Sequence, residues 1–301
     1  MTCTKPIFIT PLKGLRKDLL YKKFHRMSAN EKVDLLKNGK GLLVPCGKCI
    51  ACRISRVAEW TTRMMHQLEE SKVGCFITLT YANDFLPKGG TLDKKELQLF
   101  MKRLRKFLEP TKVKYYACGE YGDEENRPHY HIALFGWQPD LKKMRKHGRY
   151  WESLELNPIW PYGNNTVGTL TKDSCQYVAG YMKKKYSKNM YPSEIQQPFA
   201  FISQGMGKNY AEEKGLTDPN SEITKNGERM TRPRYYQKLW KAEGHEDSRK
   251  AMLNMKSVLR EEELMEKLGG KAQLDMAKET DRISREAINK WWEENTKKGV
   301  M

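Results

Sequence analysis

Residues 113–135 read VKYYACGEYGDEENRPHYHIALF, and this stretch decides the fold. Val113 to Cys118 and His129 to Phe135 read as two strands, and the glycine- and proline-punctuated segment from Gly119 to Pro128 reads as the turn between them. Strands this close in sequence form an antiparallel hairpin. Side chains i and i+2 of a strand share a face, so His129 and His131 point the same way and Tyr130 points the other. Two imidazoles side by side can hold one ion, and a hard cation such as Mg²⁺ or Mn²⁺ needs a further ligand. Glu120 is the candidate, because it closes the preceding strand and the hairpin brings it beside the two histidines. The chain has only six histidines, which makes a chance pair less expected. Taken alone, the motif still reads equally well as a histidine pair on a strand edge with no ion.

Outward from the hairpin, Cys75 to Tyr81 (CFITLTY) alternates its faces and reads as another strand. Asp93 is a plausible N-cap for a helix with an apolar stripe of Leu97, Phe100, Met101, Leu104, Phe107 and Leu108. Ile54 to Lys72 is a second helix, with Val57, Trp60, Met64 and Leu68 at helical spacing. Lys142 to Arg149 reads as a basic loop, Asp173 to Lys185 as a helix, Phe199 to Ile202 as a strand, and Ser203 to Gly207 (SQGMG) as a turn. In the last sixty residues, Met252, Met255 and Leu259 mark one helix and Ile283, Ala287 and Trp291 another, separated by Gly269-Gly270. The expected fold is α+β: a central antiparallel sheet flanked by helices, with a helical C-terminal extension.

The net charge is +18. Residues 241–301 hold 13 basic and 13 acidic side chains, so the whole excess lies in residues 1–240. A confined excess points to a binding face for an anionic polymer, nucleic acid first. Tyr81 and Tyr130 are aromatics that either stack bases on such a face or pack the core. No run of 18 apolar residues and no signal-peptide layout occurs, so neither a membrane span nor export is expected.

The helix from Asp173 carries Tyr177 and Tyr181 one turn apart on one face, with Lys183 to Lys185 just beyond. A phenol can act as a covalent nucleophile. Its ordinary pKa of about 10 demands a nearby base or positive field, and an attacked phosphate needs its charge neutralised, as a metal does. Alone, the pattern equally fits an amphipathic helix with two half-buried tyrosines. Seven cysteines, an odd number, argue for reduced thiols or a metal site over a disulfide framework. Cys46-x-x-Cys49-x-x-Cys52 has metal-like spacing but lacks the fourth ligand of a structural Zn²⁺ site. Cys3 or Cys75 would complete it, and three thiols without metal is the competing reading.

FITLTY (76–81), RPHYHIALFG (127–136) and YVAGYMKK (177–184) occur in the order of the three rolling-circle motifs, and the chain resembles the HUH endonucleases. The paired tyrosines resemble those of the microvirus replication initiators. PCGKCIACR (45–53), SQGMG and RPRYY (232–236) resemble the gokushovirus branch of that group. The resemblance spans roughly residues 40–240. It implies a basic N-terminal segment with the cysteine cluster and a helix (1–72), an HUH endonuclease domain (73–240) and a helical hairpin extension (241–301). It further implies His129, His131 and Glu120 as ligands of Mg²⁺ or Mn²⁺, Tyr177 and Tyr181 as nucleophiles, and Lys184 as a phosphate-positioning or charge-stabilising residue. Related initiators often carry lysine where this chain has Gly180. The implied activity is nicking and rejoining of single-stranded phage DNA at its origin through a 5′-phosphotyrosine, in the host cytoplasm, with a host helicase and DNA polymerase as partners.

Three rivals differ in what they leave unexplained. A non-catalytic single-stranded nucleic-acid-binding protein leaves the histidines and tyrosines without a task. A two-histidine, one-carboxylate iron oxygenase leaves the charge unexplained. A plasmid initiator or transposase shares the chemistry but not the cysteine motif. A basic binding face predicts that affinity for single-stranded DNA falls with salt, with a log–log slope of about −0.7 per phosphate contacted. Titrations at increasing salt measure that slope, and a flat response contradicts it.

Overall fold

The computed structural model describes residues 7–9, 42–122, 126–147 and 150–185, most of 191–240, and a few positions between 266 and 283. The chain divides into two compact units, residues 54–240 and residues 1–53 with 241–301. In the second of these, strand β1 (Ile7–Ile9) pairs antiparallel with β2 (Leu42–Val44). Helix α1 (Ile50–Ser71) begins there and runs into the larger unit.

The larger unit follows the order β3 (Gly74–Thr80), α2 (Lys94–Phe107), β4 (Lys114–Tyr121), β5 (Pro128–Phe135), β6 (Met144–His147), β7 (Tyr150–Ser153), β8 (Asn165–Thr169), α3 (Lys172–Lys185), β9 (Phe199–Ile202), α4 (Lys208–Glu213) and α5 (Arg234–Leu239), with a further two-stranded pair between the last two helices. Five strands form one sheet in the order β8-β3-β5-β4-β9, and every neighbouring pair is antiparallel. The expected α+β class with a central antiparallel sheet is what the chain adopts.

Alternation along the strands divides the interior into two cores. Cys75, Ile77 and Leu79 of β3 and Tyr130, Ile132 and Leu134 of β5 pack with Leu97, Phe100, Met101 and Leu104 of α2. On the opposite face, Ala133 and Phe135 of β5 pack with Met64 and Met65 of α1 and with Cys175, Val178 and Ala179 of α3. β5 is therefore covered on both sides, as its nearly unbroken apolar run requires. Each fully buried large apolar side chain contributes about 1.5–3 kcal/mol, and this sum fixes which face each strand residue takes. Asp93 caps α2 as expected, its carboxylate accepting from the backbone N–H of Lys95 at 2.6 Å and Glu96 at 3.3 Å.

Several expectations are corrected. β4 runs past Cys118 to Tyr121, so Gly119 and Glu120 belong to the ladder instead of the turn. Gly119 is a packing glycine, because a Cβ there would lie 2.9 Å from the Phe199 ring. The expected basic loop at Lys142–Arg149 instead contributes a 3-10 turn and strand β6, and Arg145 pairs with Glu152 of β7 at 2.6 Å. Of the two readings of Tyr81 and Tyr130, core packing is the one the structure supports. Both are buried, with their hydroxyls 2.7 Å apart. The two stripes expected in 241–301 fall mostly outside the described residues. Gly269 and Gly270, the expected break, both have positive φ, 81° and 126°.

SQGMG and RPRYY meet on α1. Arg63 Nε donates to the Met206 carbonyl at 3.1 Å, and the Gly207 amide donates to Gln67 Oε1 at 3.0 Å. His66 Nδ1 lies 2.9 Å from the Tyr236 hydroxyl, and the Arg63 guanidinium lies 4.0 Å from the ring centres of both Trp60 and Tyr235. Gly207 has φ 66°, and a Cβ would come within 2.5 Å of the Tyr236 hydroxyl and 2.7 Å of the Arg63 carbonyl oxygen. These two stretches thus fasten α1 to the chain after β9. Gly207→Ala is expected to lower stability by about 1–3 kcal/mol, measured by urea unfolding, whereas Gly89→Ala, which meets no neighbouring atom, is expected to carry only the positive-φ cost.

Candidate metal and tyrosine site

Glu120 of β4 sits opposite His129 in the β4–β5 ladder, and Cys118 sits opposite His131. That register places the carboxylate and both imidazoles on the face covered by α3. Glu120 Oε1 lies 2.9 Å from His129 Nε2 and 3.0 Å from His131 Nε2. Glu120 is 3% exposed, His131 is also buried, and His129 keeps its outer edge open to solvent.

The second nitrogen of each ring is held as well. His129 Nδ1 donates to the Arg127 carbonyl at 3.1 Å, and His131 Nδ1 lies 2.9 Å from the Thr78 hydroxyl of β3. In the neutral tautomer that these contacts favour, each Nε2 presents a lone pair. Two lone pairs and a carboxylate oxygen meeting at hydrogen-bond distance repel one another unless a cation or an imidazolium proton lies among them. Glu120 Oε2 is buried and has no hydrogen-bond partner among the described residues. Two imidazole nitrogens, a carboxylate and an unsatisfied buried oxygen, with ligand atoms all within 4.8 Å, fit one divalent cation, and the anchored Nδ1 atoms set the ring orientations as in metal sites. Burial by itself would raise the Glu120 carboxyl, but hydrogen bonds and positive charge from the histidines outweigh it and hold the pKa below the usual carboxylate value. The anion therefore persists to lower pH than in an exposed glutamate.

α3 brings the two tyrosines to the same place. The His131 ring lies 5.2 Å from Tyr177, edge to face, and 5.7 Å from Tyr181, stacked within 11°. The two phenol rings are 4.8 Å apart. The i, i+4 spacing thus straddles one metal-ligand candidate. The pair is not equivalent. Tyr177 is 49% exposed, while Tyr181 is half-buried. Burial first, then the Glu120 charge and the hydrogen bond to Tyr177, pushes the Tyr181 pKa above the ordinary phenol value.

Lys184 lies on α3 three residues after Tyr181, and its side chain falls outside the described residues. Cys46, Cys49 and Cys52 converge in the smaller unit, with their sulfurs within 4.8 Å of one another. Cys3 lies outside the described residues. Cys75 is buried among apolar side chains, which pushes its thiol up to about 12, so it serves the core. Two supports escape a reading of the sequence. Thr78 is visible there only as one polar residue in a strand, and the Arg127 backbone carbonyl has no sequence signal. Gly180 faces open space.

Residues 74–186 match a family model of replication-associated proteins, the ORF2 type. The chain is 32% identical over 248 residues to the replication-associated protein VP4 of Bdellovibrio phage phiMH2K, covering 77% of each chain. It is 34% identical over 180 residues to the replication-associated protein ORF2 of Spiroplasma virus 4, covering 56% of each. It is 29% identical over 222 residues to the replication-associated protein ORF4 of Chlamydia phage 1, covering 68% of this chain and 55% of the relative. No solved structure matches. No helix among the described residues is long and apolar enough to cross a membrane.

If Thr78 orients His131 for a cation, Thr78→Val weakens Mn²⁺ binding by about 10–100-fold with little change in fold. Calorimetric titration of Mn²⁺ measures this, and unchanged affinity removes Thr78 from the site.

Proposed function

The chain belongs to the family of phage replication-associated proteins, and on that premise we propose that it initiates rolling-circle replication as a divalent-metal-dependent endonuclease that nicks and rejoins one DNA strand through a 5′-phosphotyrosine. The observation that carries this reading is the packing of both α3 tyrosines against His131 of the Glu120–His129–His131 cluster. A cation held by Glu120, His129 and His131 would supply Lewis-acid polarisation of the scissile phosphate.

The remaining chemistry belongs to the chain's own residues. A tyrosine phenol oxygen attacks the phosphorus, the bond from phosphorus to the 3′ oxygen breaks, and the 3′ oxygen takes up a proton as the phenol loses one. The freed 3′-hydroxyl is the end that a host polymerase extends behind a host helicase. The reverse attack of a 3′-hydroxyl on the phosphotyrosine restores the phosphodiester and releases the phenol. The covalent bond conserves the phosphodiester energy, so no nucleotide cofactor is needed. Two phenols on one helix face allow one to hold DNA while the other cuts the regenerated junction, without the strand leaving the site. Tyr177 makes the first cut, because it is the more exposed phenol, while burial and the Glu120 charge hold Tyr181 protonated. The β6–β7 hairpin, with Arg145, Lys146, Tyr150 and Trp151 exposed, supplies cationic and stacking contacts for single-stranded DNA. Such a protein acts in the cytoplasm of the bacterial host, where the phage DNA is copied.

The test uses purified protein, Mn²⁺ or Mg²⁺, and end-labelled single-stranded fragments of the parent genome, scored for label that stays on the protein after denaturation. The expected result is a metal-dependent adduct that Tyr181→Phe retains in a single cut. Tyr177→Phe is expected to lower it by about tenfold or more, the scale of a lost transition-state interaction, and the double variant to abolish it. DNA binding without adduct on any fragment would replace this reading with that of a non-catalytic single-strand-binding protein.

A further inference from the structure

The three cysteines in residues 45–53 have no part in strand transfer, yet their geometry is specific. Cys46 Sγ and Cys52 Sγ are 3.9 Å apart, and Cys49 Sγ lies within 4.8 Å of both. That is too far for a disulfide. It is close to the sulfur–sulfur edge of a tetrahedral zinc thiolate site, about 3.8 Å for bonds of about 2.3 Å. In an iron–sulfur cluster each cysteine binds a different iron, and the sulfurs spread beyond one coordination sphere.

The backbone around Cys46 is arranged for a thiolate. The amides of Lys48 and Cys49 both donate to Cys46 Sγ at 3.4 Å. Gly47, at φ 74°, supplies the turn that aims them there. The Cys49 carbonyl accepts from the Arg53 amide at 3.0 Å, so Cys49 caps α1 and Cys52 stands in its first turn. The positive end of the helix favours thiolate over thiol at both positions. Cys46 and Cys49 are partly exposed, which leaves a path for an ion, while Cys52 is buried.

We propose that Cys46, Cys49 and Cys52 hold a structural zinc ion as three thiolates, each thiol releasing its proton on binding, with the fourth position taken by a donor outside the triplet or by water. The site staples the chain at the start of α1, where metal ligation replaces apolar burial as the source of order. It also sorts metals: sulfur ligands select zinc, while the nitrogen–oxygen set at Glu120, His129 and His131 suits a harder cation.

The experiment measures metal content by mass spectrometry in the full chain, purified without chelator from zinc-supplemented cells. The expected result is about one zinc per chain, retained in the His129→Ala/His131→Ala variant and lost in Cys49→Ser. Because Cys49→Ser can fail to fold, the wild-type protein is also exchanged with cobalt, and a thiolate-to-cobalt charge-transfer band is expected. Three results overturn the proposal: zinc that leaves with the histidines and stays in Cys49→Ser, iron with acid-labile sulfide, or wild-type protein with neither zinc nor a cobalt–thiolate band.

Discussion

Everything at the site depends on the pairing of Glu120 with His129 across the β4–β5 ladder. Strand side chains alternate, so this one register decides that Glu120, His129 and His131 face α3 while Tyr130, Ile132 and Leu134 face α2. A slip of one residue would drive two imidazoles into an apolar core and turn Tyr130 toward the tyrosine helix. What forbids the slip is burial on the far side. Ile132 and Leu134 are fully buried there, and each would forfeit about 1.5–3 kcal/mol on exposure. The position of the polar cluster is thus set by the apolar residues interleaved with it.

The cluster is costly in isolation. A carboxylate that is 3% exposed loses its hydration, and an unpartnered buried oxygen adds to the cost. Four elements converge to offset it: β4 contributes Glu120, β5 the histidines, β3 the Thr78 hydroxyl behind His131, and α3 the two phenols. The negative charge that draws a cation is the same charge that holds Tyr181 protonated. Neutralising Glu120 and activating the phenol are therefore linked electrostatically: positive charge beside Glu120 both satisfies the carboxylate and eases proton loss from the tyrosine.

What can be read in advance is whatever depends on a short period. The two-residue alternation of PHYHIALF and the four-residue spacing of the tyrosines fix faces without knowledge of the partner strand or helix. Glu120 is accessible because a hairpin is the nearest pairing. Contacts that depend on distant pairing are not legible. Thr78 meets His131 across 53 residues, and Gln67 receives the Gly207 amide across 140. Glycine misleads in one place, since Gly119 admits the Phe199 ring instead of turning the chain. The β6 segment misleads for a different reason: its charged run has no apolar face to mark a strand, and its pairing with β7 is supported by an Arg145–Glu152 ion pair.

The central claim is that an α3 tyrosine carries the DNA. The most direct measurement is to digest the denatured protein–DNA complex with trypsin and nuclease and locate the residual nucleotide by mass spectrometry. The mechanism predicts a 5′-linked nucleotide on Tyr177 or Tyr181 and on no other side chain. A nucleotide on a serine, on a lysine or on a tyrosine outside α3 would contradict it.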